Sequence, residues 1–202
     1  PPDGMVSVPV GMFWMGSNDV DAAPDERPMR RVFLSAFYID RYEVTNRQYR
    51  AVVTPHAYPA GHDDLPVTGV TRAQAEAYCR AVGKRLPTNA EWEKAARGTD
   101  GRRYPWGDNF ELGRGNIAES GRAAGIPLAE ERACALLFGG KQPVGSFAQG
   151  VSPSGCLDMA GNVWEWVAYD YVPHDLWNRL FARSQRGILR GGAYGYGATQ
   201  AR

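Results

Sequence analysis

Beyond Gly98 the sequence almost ceases to place apolar residues at helical spacing, and turn signals take over. They recur at Asp100-Gly101, Gly107-Asp108, Gly139-Gly140, Ser154-Gly155 and Gly191-Gly192. That half of the chain is thereby confined to loops and short strands, of which residues 163–167 and 187–190 are the clearest. With 24 glycines and 6 tryptophans in 202 residues, such a chain packs large rings among many turns. The first half differs in kind. Thr45 with Gln48, Thr71 with Gln74 and Thr88 with Glu91 stand at capping-box spacing. Each threonine hydroxyl can accept from a first-turn backbone N–H that has no partner inside its helix. After Thr71, the residues Ala75, Tyr78, Cys79 and Val82 form one apolar stripe, and Gly83 supplies a left-handed cap. After Thr88, Trp92, Ala95 and Ala96 share an inward face, and Gly98 ends the helix.

Upstream, residues 13–17 read as a short strand and residues 31–40 as one longer strand, rich in β-branched and aromatic types. Residues 19–28 read as an acidic, solvated loop, and residues 54–66 as a Pro-rich one in which no helix survives. No linker, repeat or low-complexity tract interrupts the chain, so residues 1–202 read as a single domain, with a length able to bury a core without staples. Helices early and turn-rich β structure late give an α+β class.

Charge and hydropathy exclude two function classes. Lys and Arg total 23 against 22 Asp and Glu, a net charge of +1, which rules out binding nucleic acid through bulk charge. No run approaches the roughly eighteen apolar residues of a membrane span. The first residues, PPDGMVSVPVG, show no signal peptide or lipidation motif. A removed leader would point to a bacterial cell surface or periplasm, and the cytoplasm stays open beside it.

The generic catalytic patterns are missing: no HExxH, paired CxxC, nucleophile elbow, GxGxxG or P-loop occurs. His56 and His62 stand near Asp63 and Asp64, a conceivable metal set, but their Pro-rich setting reads as a solvated loop. Cys79, Cys134 and Cys156 share no metal-type spacing and allow at most one disulfide. Cys79 on its helical stripe reads as an inert core thiol, and Cys134 among Ala133, Ala135, Leu136 and Leu137 as a packed one. Residues 155–166, GCLDMAGNVWEW, are more informative. Asp158, Asn162 and Glu165 bring oxygens into one tight turn that Gly161 lets bend, a donor chemistry that suits Ca²⁺. The competing reading is a Gly-kinked turn before a strand, with Trp164 and Trp166 in the core, and spacing alone favours it.

Several segments, in order, carry a resemblance. They are Val10-Gly11-Met12-Phe13-Trp14-Met15-Gly16-Ser17, Tyr42-Glu43-Val44-Thr45-Asn46 and Pro66-Val67-Thr68-Gly69-Val70. Gly83-Lys84-Arg85-Leu86-Pro87-Thr88-Asn89-Ala90-Glu91-Trp92-Glu93, Tyr104-Pro105-Trp106-Gly107, Gly161-Asn162-Val163-Trp164-Glu165-Trp166 and Leu189-Arg190-Gly191-Gly192 continue it. Over nearly its whole length the chain resembles the formylglycine-generating enzyme, or sulfatase-modifying-factor, family. The resemblance implies a C-type-lectin-like fold with little regular secondary structure. It also implies a copper oxidase, whose two cysteines follow the Gly-Gly. Here Tyr196 and Ala201 stand at those two positions, and a phenol and a methyl group cannot form a Cu(I) dithiolate. No copper is therefore expected. The family's closing Gly-Phe-Arg strand is not reached before Arg202. By the same carry-over, Asp158 and Glu165 would give side-chain oxygens to a structural Ca²⁺, and Gly161 and Val163 backbone carbonyls. A second family Ca²⁺ site would use Asn116, Ile117 and a carbonyl of Phe138. Its carboxylate position falls on Leu136, so that site is expected to be empty or weak.

The resulting expectation is a non-catalytic binding or scaffolding module with a protein or peptide ligand. The stretch Tyr194-Gly195-Tyr196-Gly197-Ala198 would be its binding surface, because tyrosine between glycines gives rigid contact area at low ordering cost. The competing reading packs both rings inward against Trp164 or Trp166. The variable proteins of diversity-generating retroelements resemble the same family and diversify this region, which makes them one subtype of the expectation. The alternative class is an oxidoreductase of the formylglycine-generating or a related sulfatase-modifying type.

Overall fold

Six strands among the described residues pair into three antiparallel two-stranded ribbons. The computed structural model describes residues 1–117, 140–168, 188–197 and 201. Strand β1 (Met5–Val8) pairs with β4 (Phe37–Asp40), and β2 (Gly11–Met15) with β3 (Arg30–Leu34). Late in the chain β5 (Glu165–Val167) pairs with β6 (Ile188–Arg190). Residues 31–40, expected as one strand, are thus two strands in different ribbons. β1 and β2 follow one another around Pro9-Val10, so their partner chain must also cross from one ribbon to the next. It does so at the exposed Ser35-Ala36. In β2 the alternation is plain: Phe13 and Met15 are buried, Met12 and Trp14 exposed.

All three capping boxes form, opening α1 (Asn46–Arg50), α2 (Arg72–Ala81) and α3 (Asn89–Arg97). Helix α2 closes in a Schellman arrangement: Lys84 N–H donates to Cys79 O at 2.7 Å and Gly83 N–H to Arg80 O at 3.1 Å. Gly83 sits at φ 72°, where any other L residue would be strained. The stripe on α2 departs from expectation. Only Tyr78 is buried; Ala75, Cys79 and Val82 are half-buried, and Ala75 and Cys79 line a surface groove. Cys79 is therefore not a core thiol. Cys156 is, and burial pushes its thiol up to about 12. Cys134 lies outside the described residues.

Helix α3 occupies the centre, buried from Ala90 through Arg97. Trp92, Ala95 and Ala96 pack with Val6, Val8, Cys156, Met159 and Val167, while Ala90 packs with Phe13 and Met15. Four charged residues, Glu91, Glu93, Lys94 and Arg97, enter the interior with the helix. Lys94 donates to Pro9 O at 2.7 Å and Gly11 O at 3.0 Å. Glu93 accepts from Gly16 N–H at 2.6 Å and from Arg97 at 2.7 Å, and it pairs with Arg190. The acidic stretch at residues 19–28 also does more than meet solvent. Pro24–Glu26 make a 3₁₀ turn, and Asp19 and Asp21 pair with Arg103 at 3.0 and 2.7 Å. No helix of the described residues is long and apolar enough to cross a membrane.

Removing the Glu93 charge leaves two guanidinium groups without their shared partner in a nearly dry site. Glu93→Gln is expected to lower the unfolding free energy by about 3–5 kcal/mol. A urea midpoint within error of wild type would show that the pairing contributes nothing net.

Candidate functional site

Among the described residues a groove of about 1190 Å³ lies between α2, β4, the 157–166 segment and the turn at residues 193–197. Aromatic rings dominate its walls: Tyr42, Tyr78, Trp164, Trp166, Tyr194 and Tyr196. Trp164 and Trp166 are half-buried groove residues and not the core pair expected. Strand alternation gives the reason for Trp166: Val167 turns inward to full burial, so Trp166 points the other way. Its indole N–H donates to Val70 O at 3.0 Å. β5 also begins at Glu165 and not at residue 163. Gly161 and Asn162, at φ 94° and 61°, leave the extended region just before it.

The Tyr-Gly stretch forms one rim. Tyr196 is 48% exposed, and its ring stands edge-on to Trp164 with centroids 5.2 Å apart. It packs on a tryptophan and still presents almost half its surface. Tyr194 is half-buried, its N–H donating to Asn162 O at 3.1 Å, and Tyr196 N–H closes the turn on Ala193 O at 2.8 Å. A side chain at Gly195 would meet open space, and Gly197 also lines the groove. Ala198 lies outside the described residues. The charges on the walls are largely paired internally: Lys84 with Asp40 at 2.6 Å, and Arg85 in a two-pronged pair with Glu91, both contacts 2.7 Å.

Asn162 joins the parts. It is 1% exposed. Its amide N–H group donates to Glu43 Oε2 at 2.8 Å, and its Oδ1 accepts from Gln142 N–H at 2.8 Å and from the Asn116 side chain at 3.1 Å. Its backbone N–H donates to Asn116 O at 2.9 Å. Gly161 is required beside it, because a Cβ there would run into Asn116 O and the Ile117 side chain. The residues expected for the two metal sites, Asp158, Gly161, Val163 and Glu165 with Asn116 and Ile117, therefore share one neighbourhood. Their carboxylates are held by different donors. Asp158 accepts from Gly145 N–H at 2.6 Å and Glu165 from the Trp92 indole at 3.0 Å. Among the described residues no three His, Cys, Asp or Glu side chains converge as a metal-holding group. A cation on this loop would have to draw on backbone carbonyls. Phe138 and Leu136 of the second set lie outside the described residues. His56 and His62 do not meet as ligands either: His56 Nε2 bonds Asn46 Oδ1 at 3.1 Å, and the His62 carbonyl accepts from the Asn46 amide at 2.8 Å.

Sequence reasoning gave Glu43 no role. It sits 119 positions from Asn162, so no local spacing could have linked them. Burial pushes its carboxyl well above the usual range, and the nearby charges of Glu165 and Asp158 add to this. Burial likewise raises Asp158, and it pushes Glu165 up to about 7, opposed by the Trp92 hydrogen bond and reinforced by Asp158.

Known proteins match across this architecture. A family model described as sulfatase-modifying factor enzyme 1-like domain matches residues 1–202. The chain is 35% identical to the formylglycine-generating enzyme of Thermomonospora curvata, over 82% of this chain and 71% of that protein. It is 32% identical to the inactive C-alpha-formylglycine-generating enzyme 2 of Bos taurus, over 85% of this chain and 72% of that protein. Among solved structures, PvdO from Pseudomonas aeruginosa superposes with a TM-score of 0.67 at 26% identity, covering 98% of this chain and 85% of that one. Treponema denticola variable protein 1 superposes at 0.64 and 20% identity, covering 98% and 86%.

The raised Glu165 carboxyl has a pH consequence. Folded Glu165 holds a proton up to about 7, whereas its ordinary value is 4.5. Folding takes up that proton, so the stabilisation is complete at low pH and is lost as pH rises through about 7. With chelator present, the urea midpoint is expected to fall as pH rises from about 4.5 to about 7. Glu165→Gln should flatten part of that slope, and an unchanged slope would refute the assignment.

Proposed function

The chain belongs to the family of sulfatase-modifying factor enzyme 1-like domains, and we propose that within it this chain is a non-catalytic binding module whose aromatic groove takes a protein or peptide ligand. One observation carries the reading. Where the family's enzymes are expected to hold two thiolates, this chain has Tyr196, a half-exposed phenol on the groove rim, and Ala201, buried at 1% against Ile117 and Ala160. Neither can ligate Cu(I), and the two positions serve different tasks here, contact surface and core. The family also contains a relative named as inactive, so membership alone does not bring the oxidation with it. Tyr194 and Tyr196 supply rigid, amphipathic contact area, with Gly195 and Gly197 leaving the backbone open to approach. Three paired ribbons among many turns support a C-type-lectin-like description of this architecture. The fold shared with a Treponema variable protein supports a retroelement-diversified subtype, which an adenine-rich template repeat beside the coding region would mark.

A structural Ca²⁺ on the 158–165 loop is part of the same reading. Asp158 and Glu165 would offer carboxylate oxygens and Gly161 and Val163 carbonyls. The support is electrostatic: Asp158 raises the proton affinity of Glu43 and of Glu165, and Glu165 that of Glu43, which a divalent cation would relieve. Asn116 and Ile117 would serve a second, weaker site.

Two measurements test the function together. A sulfatase-type cysteine peptide incubated with the protein and Cu(I) is expected to keep its mass; loss of the thiol in favour of an aldehyde would restore the enzyme reading. Peptides selected from a displayed library on the wild-type protein should bind Tyr196→Ala more weakly by about 1–3 kcal/mol, with the unfolding midpoint nearly unchanged. If every selected peptide binds that variant equally well, the groove is not the binding surface.

The cation has its own readout. Millimolar Ca²⁺ should raise the unfolding midpoint as RT ln(1 + [L]/Kd) requires, and Asp158→Asn should reduce the rise. A midpoint indifferent to chelator and to Ca²⁺ would remove the metal from the account.

A further inference from the structure

The β2–β3 ribbon has two faces, and only one is explained by the core. Phe13, Met15, Val32 and Leu34 turn toward Ala90. The register sets Met12 opposite Phe33 and Trp14 opposite Arg31 on the other face. There Met12 and Trp14 are each 39% exposed, Phe33 is 61% exposed, and Val10 extends the patch at 60%. Arg31 lies over the Trp14 ring at 5.6 Å, a contact that favours this arrangement of the two side chains before any partner arrives. A ribbon with one solvated face ordinarily reads polar outward. This one presents an aromatic pair, a methionine and an arginine, the types enriched at the centres of protein interfaces.

We propose that this outward face docks a protein segment whose surface is apolar and carries a carboxylate. The charge argument selects that occupant. Among the described residues no acid pairs with Arg31, although nearby Arg103 is held by both Asp19 and Asp21. Neither β2 nor β3 contains an acid. A second copy of this chain packed face to face would therefore set arginine against arginine with no counter-charge on the ribbon. A partner carboxylate would meet a guanidinium already oriented and partly desolvated by an indole. The surface is separate from the groove rim: none of Val10, Met12, Trp14, Arg31 and Phe33 lines the groove.

The test uses the whole chain and a displayed library of random dodecapeptides, selected on wild type and counter-selected on Phe33→Ser. The expected product is a set of apolar peptides containing Asp or Glu. Their affinity should fall roughly tenfold or more on Phe33→Ser and severalfold on Arg31→Gln, and it should be unaffected by the groove change Tyr196→Ala. Because these are exposed positions, the unfolding midpoints of the variants should stay near wild type, and circular dichroism checks that they do. Failure to enrich any peptide, enriched peptides without an acid, or equal loss on Tyr196→Ala each overturns the proposal. Two further arms address the other occupants. Phe33-dependent dimerisation in sedimentation velocity would replace the partner by a second copy. Phe33-dependent sedimentation with vesicles of phosphatidylcholine and phosphatidylglycerol would replace it by a lipid surface.

Discussion

A carboxylate shut away from water has to be matched by donors, and Glu93 is matched from several directions at once. The Gly16 N–H reaches it from the end of β2, Arg97 from the next turn of its own helix, and Arg190 from β6. Those contacts span 77 and 97 positions of sequence. Three two-stranded ribbons have little stability of their own, since an isolated hairpin is marginal in water. Here each is secured against α3. Lys94 performs the same service at Pro9 and Gly11, so consecutive charged residues of one buried helix fasten the N-terminal ribbons through their backbone polar groups. The cost of burying these charges is offset only while every partner is in place.

The groove depends on that arrangement through Trp92. Its ring is in the core, yet its indole N–H donates to Glu165 on the groove wall, and the Arg190 guanidinium lies over it at 5.2 Å. Gly161 N–H donates to Gly191 O at 2.7 Å and Tyr194 N–H to Asn162 O, so the 158–165 loop and the Tyr-Gly turn are joined backbone to backbone. A change in the carboxylate loop, by protonation or by a cation, is thus one hydrogen bond away from the tyrosines at the rim. Glu43, Asp158 and Glu165 form the electrostatic side of that coupling: Asp158 and Glu165 destabilise the charge of Glu43, and Asp158 also that of Glu165.

The proposed lack of an oxidative pair asks little of the scaffold. The groove is walled by α2, β4, the 157–166 segment and the turn at residues 193–197, so of the two expected thiolate positions only Tyr196 lies on it. Tyr196 fills its position with a ring that gains an edge-on contact to Trp164, and Ala201 fills the other with a methyl group in a small apolar cluster. Both residues are compatible with the surrounding fold.

Local chemistry was legible in the sequence wherever it acts over a few residues. The threonine caps with their Gln and Glu partners, the Schellman glycine at Gly83 and the stop at Gly98 all form at the expected positions, because each satisfies backbone groups within one turn. The turns among the described residues of the second half and the family motifs were readable for the same reason: residue identity alone decides them. Partners across the chain were not. That residues 31–40 divide between two ribbons depends on where β1 and β2 lie. That Cys79, Trp164 and Trp166 line a groove and not the core depends on what packs opposite. Glu93 and Glu43 have the ordinary look of surface acids, and their burial follows from donors supplied by distant segments. Propensity and spacing report how the chain satisfies itself locally, whereas burial, pairing and shifted proton affinity are settled only when remote segments exclude water together.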